Sequence, residues 1–488
     1  MPTIALYNIP HDAMITPYRI ATSLASGGIT MRRTAIEHLV QWKDSPGRKP
    51  LVIRGARQVG KTYLVLEFGR EHFANLVHIN FERQSDLAAL FSSKDPRKII
   101  QFLELQLNVP IQPGRTLLFL DEIQAAGEVL GTLRYFYEEM PELHVIAAGS
   151  LLEFVLADHT FSMPVGRIEY LHLGPMTFEE YLAATGQERA VKYLASFSLG
   201  DTIPDPLHRS LIEQVRVFCA VGGMPAVVGA WLRDRAFGDS DAAKQSLLST
   251  LEDDFGKYSK RVPRDRLVTV FRKIPLLVGQ RFKYVNVSRD ERAGSIRAAL
   301  NLLCAARVGY PVCHTSCNGV PLRAEIREDV FKVLFLDVGL MTAACGLSLL
   351  DFENVEELVL VNQGAVCEQF VGQHLLHALP FYQPPELHYW VREKPTAAAE
   401  VDYVVAAGPD IVPIEVKAGK TGRLRSVQVF MDQKSSRLAV RFNSDLPSVV
   451  EAPIVDPAAR RRSYRLVSLP LYLVGQFSRL VREALAAH

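Results

Sequence analysis

Short, nearly continuous apolar runs alternate with stretches of helical period over the first third of the chain. Leu51-Val52-Ile53, Leu76-Val77-His78-Ile79-Asn80, Thr116 to Leu120, His144 to Ala148 and Ile168 to Leu173 read as strands. Runs this apolar suit parallel strands covered on both faces. Between them, Ile36-His38-Leu39-Val40-Trp42 reads as a helix, closed by the turn Asp44-Ser45-Pro46-Gly47. Tyr63 to Phe68 reads as a second helix, and residues 95–109, with Ile99, Ile100, Phe102, Leu103, Leu105 and Leu107, as a third. A further helix opens at Thr177-Phe178-Glu179-Glu180. This order predicts an α/β unit, a parallel sheet between helices, over residues 31–185. Residues 1–30 carry no clear periodicity and read as an extension.

The pattern changes twice downstream. Residues 186–260 are helical throughout, with Val191, Leu194, Leu211, Val215 and Phe218 spaced for helix faces, and are assigned as a lid over the first unit. From 261 to 346 the order is helix (267–278), helix (296–306) and two strands (308–314 and 323–336), which fits a winged-helix-like connector. Residues 355–488 open with a helix at Val366 to Val371 and continue as strands at 387–391, 400–405 and 411–417. A strand and helix close the chain at 464–486.

The first strand runs into Gly55-Ala56-Arg57-Gln58-Val59-Gly60-Lys61-Thr62, the pattern G-x-x-x-x-G-K-[ST] in its strand–loop–helix setting. Glycines let the loop curl so that its N–H groups face phosphate oxygens, and the following helix adds the positive end of its dipole. Lys61 is expected on the β- and γ-phosphates of ATP and Thr62 on Mg²⁺. The third strand ends in Asp121-Glu122, an acid expected on Mg²⁺ and a neighbour placed to polarise the attacking water. Ser150, after the fourth strand, is either a γ-phosphate sensor or the N-cap of a helix at 151–154. Arg167, before the fifth strand, is either an arginine finger donated to a neighbouring subunit or a surface arginine in a turn.

Together these residues resemble the AAA+ ATPases. The wording is similar to one bacterial and archaeal group in which such an ATPase is fused to a C-terminal region of unknown function with a nuclease-like fold. Gly55 to Thr62, Asp121-Glu122-Ile123-Gln124, Gly149-Ser150, Gly222-Gly223-Met224-Pro225 and Asp337-Val338-Gly339-Leu340 carry the likeness. It spans roughly Met31 to Phe442 and implies ATP hydrolysis and a homo-oligomer; the middle motifs mark kinship without evident chemistry.

Composition adds bounds. At 488 residues, 48% hydrophobic, 22% charged and with net charge +2, the chain is that of a globular protein of several domains. The longest uncharged run, Val217 to Leu232, is broken by Gly222-Gly223-Met224-Pro225, and no segment suits a bilayer span or a signal peptide. Six scattered cysteines fit free thiols in a cytoplasmic protein. Cys313 and Cys317 lack the second pair that a zinc site needs. Charge is uneven, however. Between Lys257 and Arg297 twelve basic residues face only Asp265, Asp290 and Glu291, and residues 417–441 form a second basic stretch. The first is either a DNA-backbone surface or a solvated or intersubunit face.

The C-terminal region carries a second constellation. Glu368 lies on the helix after 363, Glu400-Val401-Asp402 on one strand, and Glu415 and Lys417 on one face of the next. The set is similar to the PD-(D/E)XK nuclease core, which implies a mixed α/β restriction-nuclease-like domain. In that reading Asp402 and Glu415 ligate Mg²⁺, Lys417 orients water or neutralises charge, and Glu368 assists, with Glu400 the substitute for Asp402. The expected function is an ATPase that acts on DNA through a site that cuts or grips it. Two alternatives stand beside it: a DNA-binding regulatory ATPase with an inactive nuclease fold, and a nucleotide-controlled signalling or toxin-type switch acting on a protein partner.

Overall fold

The architecture was taken from a computed structural model. The structure describes residues 31–150, 164–234, 237–258, 262–347, 363–392, 398–419, 424–434, 436–454 and 462–486.

The strands β1 (Leu51–Arg54), β2 (Asn75–Asn80), β3 (Thr116–Asp121), β4 (His144–Gly149) and β5 (Glu169–His172) form one sheet in the order β2-β3-β4-β1-β5. Every pairing in it is parallel. The apolar runs are explained by two cores. Leu51, Ile53, Leu117, Phe119, Ile146 and Ala148 face one core with the helices α1 (Ala35–Asp44) and α2 (Lys61–His72). Their neighbours Val52, Leu118, Leu120, Val145 and Ala147 face another with α3 (Pro96–Leu107) and α4 (Gly127–Glu139). Period-2 side chains with both faces buried leave little room for polar residues. Asp95 caps α3 by accepting from the N–H groups of Arg97 and Lys98. Thr177 and Glu180 form a reciprocal capping box at the start of α5 (Phe178–Ala184).

The segment expected as a lid is helical: α6 (Glu188–Ser196), α7 (Asp205–Val221), α8 (Pro225–Asp234) and α9 (Phe237–Asp254). Among the described residues no single helix is long and apolar enough to cross a membrane; one pair, Asp205–Val221 and Pro225–Arg233, reaches that length and hydropathy together but is bent by 117° at its break. Three helices follow, α10 (Arg264–Lys273), the one-turn α11 (Tyr284–Val287) and α12 (Ala293–Ala305), then the strands β6 (Gly309–Thr315) and β7 (Ile326–Phe335).

The hairpin β6–β7 does not stand alone. β6 pairs in parallel with β8 (Leu387–Arg392), so the strands expected in a connector at 261–346 and those expected in a domain at 355–488 share one sheet. After α13 (Val338–Ala344) and α14 (Gln363–His377), that sheet continues through β9 (Ala399–Ala407) and β10 (Asp410–Val416). Beyond α15 (Arg425–Gln433) come β11 (Leu438–Asn443), β12 (Ser448–Ile454), β13 (Arg462–Pro470) and a closing helix, α16 (Phe477–Ala486). Its order is β12-β13-β11-β10-β9-β8-β6-β7. α14 packs on the face that shares its core with α6 to α9 and with α1, while α15 covers the other face through Val427, Phe430 and Met431. The apolar core of the first unit therefore runs unbroken into the C-terminal sheet.

All six cysteines are free. Burial pushes the thiols of Cys304, Cys317 and Cys367 up to about 12, which keeps them protonated and poor metal ligands at neutral pH.

Candidate functional site

The phosphate loop leaves β1 at Gly55 because only glycine fits there. A Cβ at this position would lie 2.2 Å from the Leu173 carbonyl oxygen. The loop turns back through Gln58 (φ 66°) and Gly60 (φ 91°), left-handed geometry that brings its amides to the N-terminus of α2. Lys61 is buried and donates to the carbonyls of Gly55 (3.0 Å) and Ala56 (2.7 Å). Burial pushes its ammonium down to about 8, against the opposing pull of Glu122 and Asp121. Thr62 Oγ1 donates to Asp121 Oδ2 at 3.0 Å, so the first turn of α2 and the end of β3 meet as a shared Mg²⁺ requires. Asp121 also lies 3.2 Å from His78 Nε2, a neighbour on β2 that sequence reading did not single out.

β4 lies between β1 and β3, so Ser150, just past its end, falls between the loop and Asp121. Its hydroxyl is buried with no hydrogen-bond partner among the described residues, while the helix it was expected to cap lies outside them. Glu122 adopts a left-handed conformation (φ 50°) and accepts from Gln124 Nε2. Arg167 is half-exposed and pairs with Glu138 of α4 at 2.8 Å.

Arg33 carries a role that nothing in its local sequence marks. It donates to Val59 O of the loop (2.7 Å) and to Gly174 O after β5 (2.8 Å), and pairs with Glu180 (3.0 Å). Glu180 in turn accepts from the backbone N–H groups of Thr34 and Thr177. Arg57 of the loop meets Asp254 of α9 at 2.7 Å, and Pro225 at the start of α8 sits 3.6 Å from where a Cβ on Gly60 would be.

The C-terminal residues converge from α14, β9 and β10. β9 and β10 are antiparallel neighbours, and Val416 N donates to Asp402 Oδ2 at 2.8 Å, fixing that carboxylate to the next strand. Lys417 Nζ lies 2.5 Å from Glu415 Oε1, while Glu415 Oε2 is buried without a hydrogen-bond partner among the described residues. Tyr403 anchors α14 by donating to the carbonyl of Glu368 at 2.8 Å. A residue absent from the sequence expectation completes the cluster: Lys332 of β7, with its Nζ 2.5 Å from Glu400, 3.4 Å from Glu368 and 3.8 Å from Asp402. Burial, joined by the Asp402 charge, pushes Glu368 up to about 8 and Glu415 up to about 7. Burial alone would lower the Lys332 ammonium, but Glu368, Asp402 and Glu400 together raise it, so it is charged. Among the described residues no three acid, histidine or cysteine groups are gathered closely enough to cage a metal as they stand. The donor chemistry nevertheless fits one, since the oxygens are hard and Glu415 keeps one buried and unpaired.

The basic stretch at 257–297 is partly neutralised by the fold. Arg264 pairs with Asp253, Arg272 with Glu252 and Arg266 with Glu291, and two of these acids come from α9, outside the span counted in sequence. The side chain of Lys257, and Lys260, Arg261, Lys420 and Arg423, fall outside the described residues.

Residues 47–182 match the family described as AAA domain. Residues 212–351 match a domain of unknown function (DUF8612) and residues 363–449 another (DUF4143). No curated protein matches the chain. Among solved structures the chain is similar to the Aeropyrum pernix ORC2 protein in ADPNP–ADP complexes, at 13% identity and TM-score 0.32 over 65% of this chain and 94% of that one. It is similar to a point variant of Thermotoga maritima RuvB at 16% identity and TM-score 0.26, over 56% and 87%. It is also similar to a Pyrococcus horikoshii signal-transduction ATPase of the STAND type with a tetratricopeptide sensor, at 12% and 0.24, over 72% and 46%. The first parallel sheet and its phosphate loop, within residues 47–182, are those of a P-loop ATPase domain of the AAA type.

Proposed function

We propose that the chain hydrolyses ATP at the Gly55–Thr62 loop and acts on DNA through the cluster of Glu368, Asp402, Glu415 and Lys417. The observation that supports the reading is that Asp402 and Glu415 lie on neighbouring antiparallel strands, Lys417 pairs with Glu415, and Lys332 links Asp402 to Glu368. At the first site the loop amides and Lys61 hold the triphosphate, and Thr62 and Asp121 hold Mg²⁺. Glu122, released from Gln124, turns a water toward the γ-phosphate, with Ser150 near the point of attack. Arg167, exchanging Glu138 for a neighbouring subunit's nucleotide, would make the oligomer the active form.

At the second site Asp402 and Glu415 are the residues to hold a divalent ion, which when bound supplies an acidified water and screens charge on a phosphodiester. Asp402 is held in place by Val416 N. Lys417 reaches the same point and neutralises developing charge, while Glu368 is within reach as a further ligand. The basic residues of 257–297 and 417–441 left without acidic partners would track the phosphate backbone.

Two assays test the reading. ATPase rate with and without DNA, on wild type and Lys61→Ala, should show DNA stimulation in the first and no turnover in the second. Plasmid incubated with Mg²⁺ or Mn²⁺ should be nicked by wild type and spared by Asp402→Ala/Lys417→Ala; equal nicking by both removes the nuclease. A second reading, an inactive nuclease fold kept to grip DNA, is favoured by Lys332 lying among the carboxylates. It predicts salt-sensitive DNA binding without cleavage.

A further inference from the structure

Lys332 is the least expected member of the C-terminal cluster. It sits in Val330-Phe331-Lys332-Val333-Leu334-Phe335, a run whose other members are all buried hydrophobics, and its own side chain is 3% exposed. A buried ammonium persists only with compensation. Here that compensation is Glu400 at 2.5 Å, Glu368 at 3.4 Å and Asp402 at 3.8 Å, with the Tyr389 ring centroid 5.3 Å away. Asp402 has one oxygen committed to Val416 N and the other turned toward Lys332. Glu415 is held through Oε1 by Lys417 and keeps Oε2 buried, with no hydrogen-bond partner among the described residues.

A divalent ion using Asp402 Oδ1 and Glu415 Oε2 would lie within a few ångströms of the Lys332 ammonium. Two like charges at that separation, away from water, repel by more than the thermal energy several times over. We propose that Lys332 is a built-in counter-ion that competes with a divalent metal for the Glu368–Glu400–Asp402 carboxylates, so that metal enters only as Lys332 withdraws. This rests on the metal-site reading above. It accounts for the lack, among the described residues, of a ready cage of three acids: the ammonium already holds Glu400, Glu368 and Asp402. The strand that carries Lys332 belongs to the 212–351 region and the acids to the C-terminal region, so metal loading depends on how the two are packed.

The test is Mn²⁺ binding by the full chain without nucleotide, with free Mn²⁺ followed by electron paramagnetic resonance. Lys332→Met should bind one ion about ten-fold or more tighter than wild type, Lys332→Arg should stay near wild type, and Asp402→Ala/Lys332→Met should lose the gain. Lys332→Met leaves buried acids unpaired, so a second measurement uses wild type alone. Labelling with acetic anhydride, read by mass spectrometry, should find Lys332 protected without metal and reactive as Mn²⁺ is added. Mn²⁺ affinity equal in wild type and Lys332→Met, with Asp402→Ala weaker than both, overturns the competition and leaves the metal site standing. So does Mn²⁺ that binds wild type without exposing Lys332. No binding above the Asp402→Ala background in any variant overturns the metal site itself.

Discussion

Asp337 accepts a hydrogen bond from the backbone N–H of Gly223 at 2.7 Å, and this contact joins two motifs without chemistry of their own. Its other oxygen accepts from Leu340 N at 3.0 Å, capping α13. The glycines permit the approach. A Cβ on Gly222 would lie 2.1 Å from Asp337 Oδ1, and one on Gly339 would lie 2.3 Å from the Val221 carbonyl oxygen. Gly223 O then accepts from Met176 N, and Pro225 lies against Gly60. Gly222-Gly223-Met224-Pro225 and Asp337-Val338-Gly339-Leu340 are thus the two sides of one backbone seam beside the phosphate loop.

Asp337→Ala leaves the N–H groups of Gly223 and Leu340 buried without acceptors. The expected cost is about 2–4 kcal/mol of stability, read as a lower urea midpoint with unchanged slope. Gly339→Ala should cost at least as much, because its obstacle is a carbonyl that cannot swing away. Wild-type midpoints for both would mean that the seam carries no load.

Arg33→Ala removes a buried cation facing Glu180, leaving that carboxylate in a low-dielectric site with only uncharged donors. A loss on the order of 3–5 kcal/mol is expected. Arg33→Lys keeps the charge but cannot reach Val59 O, Gly174 O and Glu180 at once. It should fold and bind Mg²⁺-ATP several-fold more weakly by calorimetry. ATP affinity matching wild type would show that the Val59 contact does not shape the loop.

The nucleotide site was legible because its chemistry is local: a loop of eight residues and a strand end, each with a fixed spacing. The acids of the C-terminal cluster were legible for the same reason, through strand alternation at Glu415 and Lys417. Lys332 was not, since it joins them from β7 through sheet order, which local pattern does not encode. Its only trace is a lone charge inside an apolar strand. The boundary between connector and C-terminal domain was drawn from the local order of helices and strands and could not register that β6 pairs with β8. Likewise, the twelve-residue basic excess looked opposed by three acids alone because Glu252 and Asp253 precede it in sequence and reach it only through ion pairs between α9 and α10.

That pairing divides the basic stretch into two groups. Arg264, Arg266 and Arg272 already have acidic partners, whereas Lys283, Arg289 and Arg292 carry no ion pair among the described residues. Each phosphate contact contributes about 0.9 to the slope of log K against log salt. If DNA binds here, Lys283→Glu/Arg289→Glu/Arg292→Glu should lower that slope by about 2–3, measured by fluorescence anisotropy. Arg264→Gln/Arg272→Gln should lower it by less than 1, within ~0.9 per contact. Equal losses from the two sets would place the DNA elsewhere.

His374 ties α14 to the ATPase domain and does so only when neutral. Its Nε2 accepts from Phe178 N at 2.8 Å, at the start of α5, which requires that ring nitrogen to be bare; its Nδ1 donates to Phe370 O at 2.7 Å. Burial pushes the imidazole down to about 4 from an ordinary 6.5. Since the folded state binds fewer protons than the unfolded one between these values, stability rises with pH across that window and is lost as pH falls from 6.5 to 4. A shift of this size corresponds to something on the order of 3 kcal/mol. His144, His172 and His377 are lowered in the same direction, also chiefly by burial, so His374 accounts for part of the acid limb. His374→Gln, which can still accept from Phe178 N but cannot titrate, should melt lower than wild type at pH 7 and lose less between pH 6.5 and 4. Parallel melting curves for the two proteins over that range would show that the acid sensitivity resides in groups other than His374.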